Sequence, residues 1–357
     1  MSDTTPKSGV AQTRGVSNSE VSRPVVDLPK LQNLYDRNLF TQAFHEASKY
    51  WNESTRLDHL STDELIFAIR LSARLGGYRL ARWLSRTARL WDGSNPRVRY
   101  FTNYVPGKGW RLFDDFRALE RNPELPGADP ATQSNWLAYS ALRWASIREF
   151  DRARDCIERA RTWSERDEAW VLSCESDVLG MQDRWAEALA AAELSWQISP
   201  GTPFTARSLA GSLLNLRRVR EAAERLAEAA QPSESFELPL LAGWYLCALA
   251  ETCGGDERKR VLGRARELGD RVPGLALLAD RETRALFARA QLDIAQLADD
   301  HREMERWAEE ARSPFHRTVL SNLRTTPRES AFDCRSATGS RNTTSVCPQA
   351  SAQPWRP

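Results

Sequence analysis

The sequence predicts an all-α protein, a solenoid of about eight antiparallel helix pairs, and three observations predict it. From Leu28 to about Leu323 apolar side chains recur at steps of three and four, as in Leu28, Leu31, Leu34 and Tyr35, which places them on one helical face. Runs of β-branched residues and hairpin signals are scarce, so strands have little to be built from. An alanine preceded three residues earlier by a large side chain also recurs: Phe40 with Ala43, Tyr78 with Ala81, Phe150 with Ala153, Trp185 with Ala188, Val219 with Ala222. The last three alanines lie 35 and then 34 residues apart, and a fixed period of this size marks stacked helical units.

Taken in chain order, residues 1–26 are polar and lack an apolar period, and read as a disordered leader. Residues 27–324 form the helical repeat region. Between Ala81 and Ala153 there is room for two units, the missing one centred on "GKGWRLFDDFRAL" with Trp110 and Phe113 in the corresponding places. Seven residues after most anchors a second small residue follows, Ala88, Ala160, Ser195 or Ala229, which lets a neighbouring helix approach closely. Upstream of three anchors lies a partner helix, "SNWLAYSALRWASI", "EAWVLSCESDVLGM" or "TARSLAGSLLNL", with Ala141, Ser176 and Ala210 in their middles. Turn residues separate the two helices, as in "ARLGGYRLA" and "GMQDRWAEA". Beyond Pro239, "LAGWYLCALAETCGG" with "ERKRVLGRARELGDRVP" make one further pair, with Leu246, Leu249, Leu262 and Ala265 inward. "DRETRALFARAQLDIAQLA" with "REMERWAEEA" make another. From Thr325 the chain is rich in Ser, Thr, Arg and Pro without helical period, so residues 325–357 read as a disordered tail or as an out-of-frame stretch.

The period near 34, the small–aromatic–alanine pattern and the closing Pro200 together resemble the tetratricopeptide repeat. The likeness is good over 134–234 and weaker over 28–123 and 236–324. Ser176 stands where the family usually has glycine, and Leu179 where it has tyrosine. The resemblance implies a right-handed superhelix with a concave face formed by the first helices. In a stack of this kind stability comes from nearest neighbours, so no single residue is expected to hold the whole array together.

Composition narrows the chemistry. No run of eighteen apolar residues is present and the first residues lack a secretory core, so neither a membrane span nor a membrane partner is expected and a cytoplasmic location is the default. The net charge of +2 equals the excess of Arg328, Arg335, Arg341 and Arg356 over Glu329 and Asp333 in the tail. Elsewhere arginines are interleaved with acids, as in Arg218, Arg220 and Arg225 among Glu221, Glu224 and Glu228; such mixing does not favour nucleic acid. The six cysteines include no C-x-x-C pair, and the first four lie in helical patterns, as small buried hydrophobes do in a reducing compartment. His301 and Glu305 in "DDHREME" come from one helix start and do not make a converging metal site. "VPGKGW" lacks the spaced glycine and the Ser or Thr of a phosphate loop, and Cys334 with His316 lacks the setting of a thiol nucleophile. No catalytic residue, cofactor or metal is therefore expected, and the chain reads as a non-enzyme. Most tryptophans in the pairs, among them Trp83, Trp136, Trp144 and Trp163, read as inter-helix packing, with Trp170 a candidate partner anchor.

The expected function is a scaffold that holds a peptide or protein segment in the concave groove. The candidate lining is Asn135, Ala138, Leu142, Trp170, Ser173, Asp177, Phe204, Arg207 and Gly211. It lacks the Lys/Asn set by which some members of the family grip a C-terminal carboxylate. Two other classes stay open. One is the regulatory or substrate-presenting part of a larger bacterial enzyme, such as a cysteine peptidase, whose catalytic domain lies outside this chain. The other is helical-repeat RNA binding.

Overall fold

The computed structural model describes residues 26–51, 59–104, 119, 123–163 and 168–311. The leader up to residue 25, the "VPGKGW" turn and the tail from 325 lie outside the described residues. Among the described residues there are fifteen helices and no strand. In order these are α1 (Leu28–Asp36), α2 (Phe40–Ala47), α3 (Thr62–Arg74), α4 (Tyr78–Asp92), α5 (Pro96–Tyr104), α6 (Pro130–Ser146), α7 (Phe150–Trp163) and α8 (Glu168–Met181). There follow α9 (Trp185–Ile198), α10 (Pro203–Asn215), α11 (Val219–Ala230), α12 (Glu237–Thr252), α13 (Gly255–Leu275), α14 (Arg281–Leu297) and α15 (His301–Ala311). They pair as α1–α2, α3–α4, α6–α7, α8–α9, α10–α11, α12–α13 and α14–α15, while α5 packs on α3, α4 and α6; the expected unit centred on "GKGWRLFDDFRAL" lies outside the described residues, apart from Leu119.

Each recurring large residue is the first residue of a second helix, and each anchor alanine is fully buried against the first helix: Ala43, Ala81, Ala153, Ala188 and Ala222 are all 0% exposed. The first helices also touch one another in sequence, α6 with α8, α8 with α10, α10 with α12 and α12 with α14. Their middles are correspondingly small and buried, with Ala141, Ser176 and Ala210 inside. At α8–α9 the approach is close. A Cβ on Gly180 would come within 2.7 Å of the Trp185 ring, and Ser195 reaches the Ala169 carbonyl at 2.6 Å and the Ser173 hydroxyl at 2.8 Å. Leu246, Leu249, Leu262 and Ala265 are buried, as expected of inward positions. Trp136 and Trp144 are core residues, but Trp83 and Trp163 are 51% and 42% exposed on the outer helices, so the packing expectation fails for them.

One backbone device makes six of the intra-pair turns. Asn38, Gly76, Arg148, Asp183, Arg217 and Asp299 adopt positive φ, each two residues before a second helix begins. In every case the next amide donates to a carbonyl five residues back: Leu39 to Leu34, Gly77 to Ser72, Glu149 to Trp144, Arg184 to Leu179, Arg218 to Leu213, Asp300 to Ala295. This double hydrogen-bonded turn takes up the carbonyls left over at a helix end. Holding a non-glycine residue left-handed costs about 1 kcal/mol, which the repeated close pairing offsets.

The expectation of neighbour-only contact fails at one place. The second pair meets the segment joining α13 to α14: the Leu278 amide donates to the Leu75 carbonyl at 3.0 Å, the Asp280 amide to the Gly76 carbonyl at 3.2 Å, and the Thr283 hydroxyl to the same Gly76 oxygen at 2.6 Å. Leu278 packs on the cluster formed by Leu31, Phe40, Phe67, Leu71 and Leu75, and Tyr78 on Phe236, their ring centroids 6.4 Å apart. Early and late pairs therefore close on each other.

Two carboxylates complete this clasp. Neither α2 nor α4 has a side-chain cap of its own, since Leu39 and Gly77 occupy the capping positions. Glu234 supplies the first, accepting from the Thr41 amide (2.9 Å), the Thr41 hydroxyl (2.6 Å), the Gln42 amide (3.3 Å) and the Gln42 side chain (2.7 Å). Asp280 supplies the second, accepting from the Arg79 amide at 2.8 Å while also capping α14 through Glu282 and Thr283. Anionic acceptors at helix N-termini gain from the orphan amides and from the helix dipole alike. Arg82 to Glu282 at 2.7 Å adds a partly exposed ion pair.

Candidate binding site

Closure turns the inner face of the stack into a cavity of about 730 Å³. Its walls come from both ends of the chain and from the middle: α1 and its turn (Gln32, Tyr35, Asp36, Asn38), α3 (Arg70, Ala73, Arg74), α5 (Arg97, Tyr100, Phe101), the starts of α6, α8 and α10, and Glu237 of α12. Rings are abundant in it, with Tyr35, Phe40, Tyr78, Tyr100, Phe101, Trp170 and Phe204 all on the lining.

Caps, helix starts and ion pairs place several of these side chains. Asp129 caps α6, accepting from the Thr132 amide at 2.9 Å and its hydroxyl at 2.7 Å. Burial raises the Asp129 carboxyl, the Thr132 bonds and the Arg97 charge oppose it, and the net shift is downward. Pro203 at the first position of α10 sets the start of that helix, which brings Phe204 edge-on to Trp170, centroids 5.4 Å apart at 89°. Glu237, in the first turn of α12, accepts from Arg74 at 3.3 Å and from the Tyr78 hydroxyl at 3.2 Å. Burial, with the Glu237 charge second, pushes the Tyr78 phenol well above its ordinary value. Arg97 pairs with Asp63.

The nine sequence-derived lining residues divide. Asn135, Trp170 and Phe204, near the starts of their helices, line the cavity. Leu142 packs beside the core of the α6–α7 region, and Gly211 borders open space, with nothing within 4 Å of where a Cβ would lie. Ala138 and Ser173 are buried at 0% and 1% exposure and present no surface to an occupant: first helices pack on each other there, so small residues are consumed by the wall. Asp177 lies in the wall as well, accepting from Ser208 at 3.0 Å. Burial raises its carboxyl, opposed by the Arg207 charge and the Ser208 bond. Arg207 is half-buried in the same layer, and its charge also opposes the burial-driven rise at Tyr245.

What sequence reasoning missed is the contribution of the first three units, above all Tyr35, Arg70, Arg74, Tyr78 and Tyr100, together with Glu237. Their positions on helical faces were readable; that the faces meet the late pairs was not. Cys156, Cys174 and Cys247 are buried in the stack as expected, whereas Cys253 is only half-buried; burial lifts the Cys156 thiol to about 11 and raises that of Cys174. Among the described residues no group of three His, Cys, Asp or Glu is placed to hold a metal ion, and no helix is long and apolar enough to cross a membrane. Comparison of the chain with protein-family models and with curated proteins finds no match.

Proposed function

We propose that this chain is a tetratricopeptide-like repeat protein that binds a peptide segment in its central cavity. The observation that carries the reading is the cavity itself, built at the starts of successive first helices and lined by rings and a few charged groups. A volume of this size suits a short segment of several side chains rather than a long peptide laid along an open groove. Rigid aromatic side chains supply contact area at low entropic cost, as anchors at binding hot spots do. Three arginines face three carboxylates on the lining. That balance argues against a nucleic-acid backbone, which calls for clustered cations.

Panning a random-sequence peptide display library on the full chain tests the reading. Peptides are expected whose binding falls on Trp170→Ala or Phe204→Ala and is unchanged by Leu90→Ala, a position 84% exposed on the outer helix α4. Peptides that ignore both cavity substitutions would overturn it.

A further inference from the structure

We propose that Arg70 is the anion-recognising point of the cavity, and that the peptide it holds carries an acidic side chain there. This rests on the peptide reading above. Of the three cavity arginines, Arg74 is paired with Glu237 and Arg97 with Asp63. Among the described residues Arg70 meets no carboxylate. Its Nη1 donates to the Gln32 side-chain oxygen at 3.1 Å, and its guanidinium carbon lies 4.3 Å from the Tyr35 ring centroid and 5.0 Å from that of Phe101. Rings from α1 and α5 thus both lie against the guanidinium, and contact through ring faces leaves its in-plane N–H donors to an acceptor. Gln32 is itself fixed, its amide donating to Asp36 at 2.6 Å. A half-buried cation held in this way, with its donors only partly used, is prepared for a charged acceptor.

The surroundings decide which anion. A carboxylate is planar and singly charged, and matches the guanidinium fork through two parallel bonds. Asp36, Asp129 and Glu237 share the same lining, so a phosphate dianion would meet more repulsion than a carboxylate at the same place. The neighbouring rings suit apolar or aromatic residues on either side of the acid.

The test is a double-mutant cycle on a selected peptide, made with its acidic residue and with the matching amide. On the native chain the amide is expected to weaken binding roughly tenfold, the size of a charge-assisted hydrogen-bond pair. On Arg70→Gln, acid and amide are expected to bind alike. Arg70→Lys, which keeps the charge but not the fork, is expected to fall between, and serves if Arg70→Gln does not fold. Phosphoserine at the same position is expected to bind more weakly than the acid. Selected peptides with no recurring acid, an amide that binds the native chain as well as the acid, an equal amide penalty on the native chain and the variants, or tighter binding of phosphoserine would each overturn the Arg70 assignment and leave the peptide reading standing. A library that yields no cavity-dependent peptide would overturn both.

Discussion

The turn at Arg217 and the turn at Gly76 have the same backbone and opposite surroundings. Both put one residue in the left-handed region, with φ of 63° and 82°, and both close with the same pair of hydrogen bonds. At Arg217 the side chain is exposed and the first turn of α11 lacks a side-chain cap. At Gly76 another part of the chain, some two hundred residues on, rests on the turn; a Cβ there would lie 2.8 Å from Thr283 Cγ2 and 3.4 Å from the Ala279 Cα. The first turn lies at an exposed position, while the second is half of an interface. Glycine is thus optional in the first setting and required in the second, on grounds of space as much as of backbone freedom.

Four substitutions would break or sharpen that contrast. Gly76→Ala carries the largest expected effect, a loss of about 2–4 kcal/mol, from left-handed strain plus overpacking against the buried Thr283; denaturant unfolding measures it. Glu234→Ala is next, at about 1–2 kcal/mol, because four donors at the start of α2 lose their acceptor. Asp280→Asn keeps the shape but removes the charge, and should cost about 0.5–1 kcal/mol. Arg217→Gly is expected to be neutral or to stabilise by up to about 1 kcal/mol, since it relieves the left-handed strain at an exposed position. Equal responses at residues 76 and 217 would show that closure adds nothing to the turn.

The clasp also makes a pH prediction. Burial raises the Glu234 carboxyl, the Thr41 and Gln42 bonds lower it by more, and the net shift is downward. Its contribution is therefore fully present above the unfolded carboxyl pKa of about 4.3 and is lost as pH falls through the lower folded value. Acid titration of the native chain against Glu234→Gln should show stability curves that converge in that acidic window. Parallel curves down to the lowest pH would exclude a role for the Glu234 charge.

Much of the stack was legible in the sequence because its determinants are local. A large residue and an alanine three positions later mark the first turn of a second helix at Phe40, Tyr78, Phe150, Trp185 and Val219, and each of these helices begins at the marked residue. The clasp was not legible for the opposite reason. Glu234, Leu278 and Asp280 have no spacing relation to Thr41, Leu75 or Gly76, and "GG" reads as an ordinary turn until Thr283 is seen to lie against it. The candidate site was half-legible. Helical periodicity put Asn135, Trp170 and Phe204 on the inner surface, but it does not separate residues at the start of a first helix, which reach the cavity, from Ala138 or Ser173, which the neighbouring helices cover. Tyr35 and Arg70 belong to the less regular early units, and they meet across α1, α3 and α5, which no spacing in the sequence relates.

Because Tyr35, Arg70 and Tyr78 come from the early pairs and Glu237 from a late one, an occupant that bridges them binds the joined form better than a parted one. Occupancy and closure are then two faces of one equilibrium, and each must strengthen the other by the same factor. A substitution that loosens the seam far from the cavity, such as Glu234→Ala, would lower affinity only to the extent that the parted form becomes populated. Saturating ligand would, in the same measure, restore the resistance to unfolding that the substitution removed.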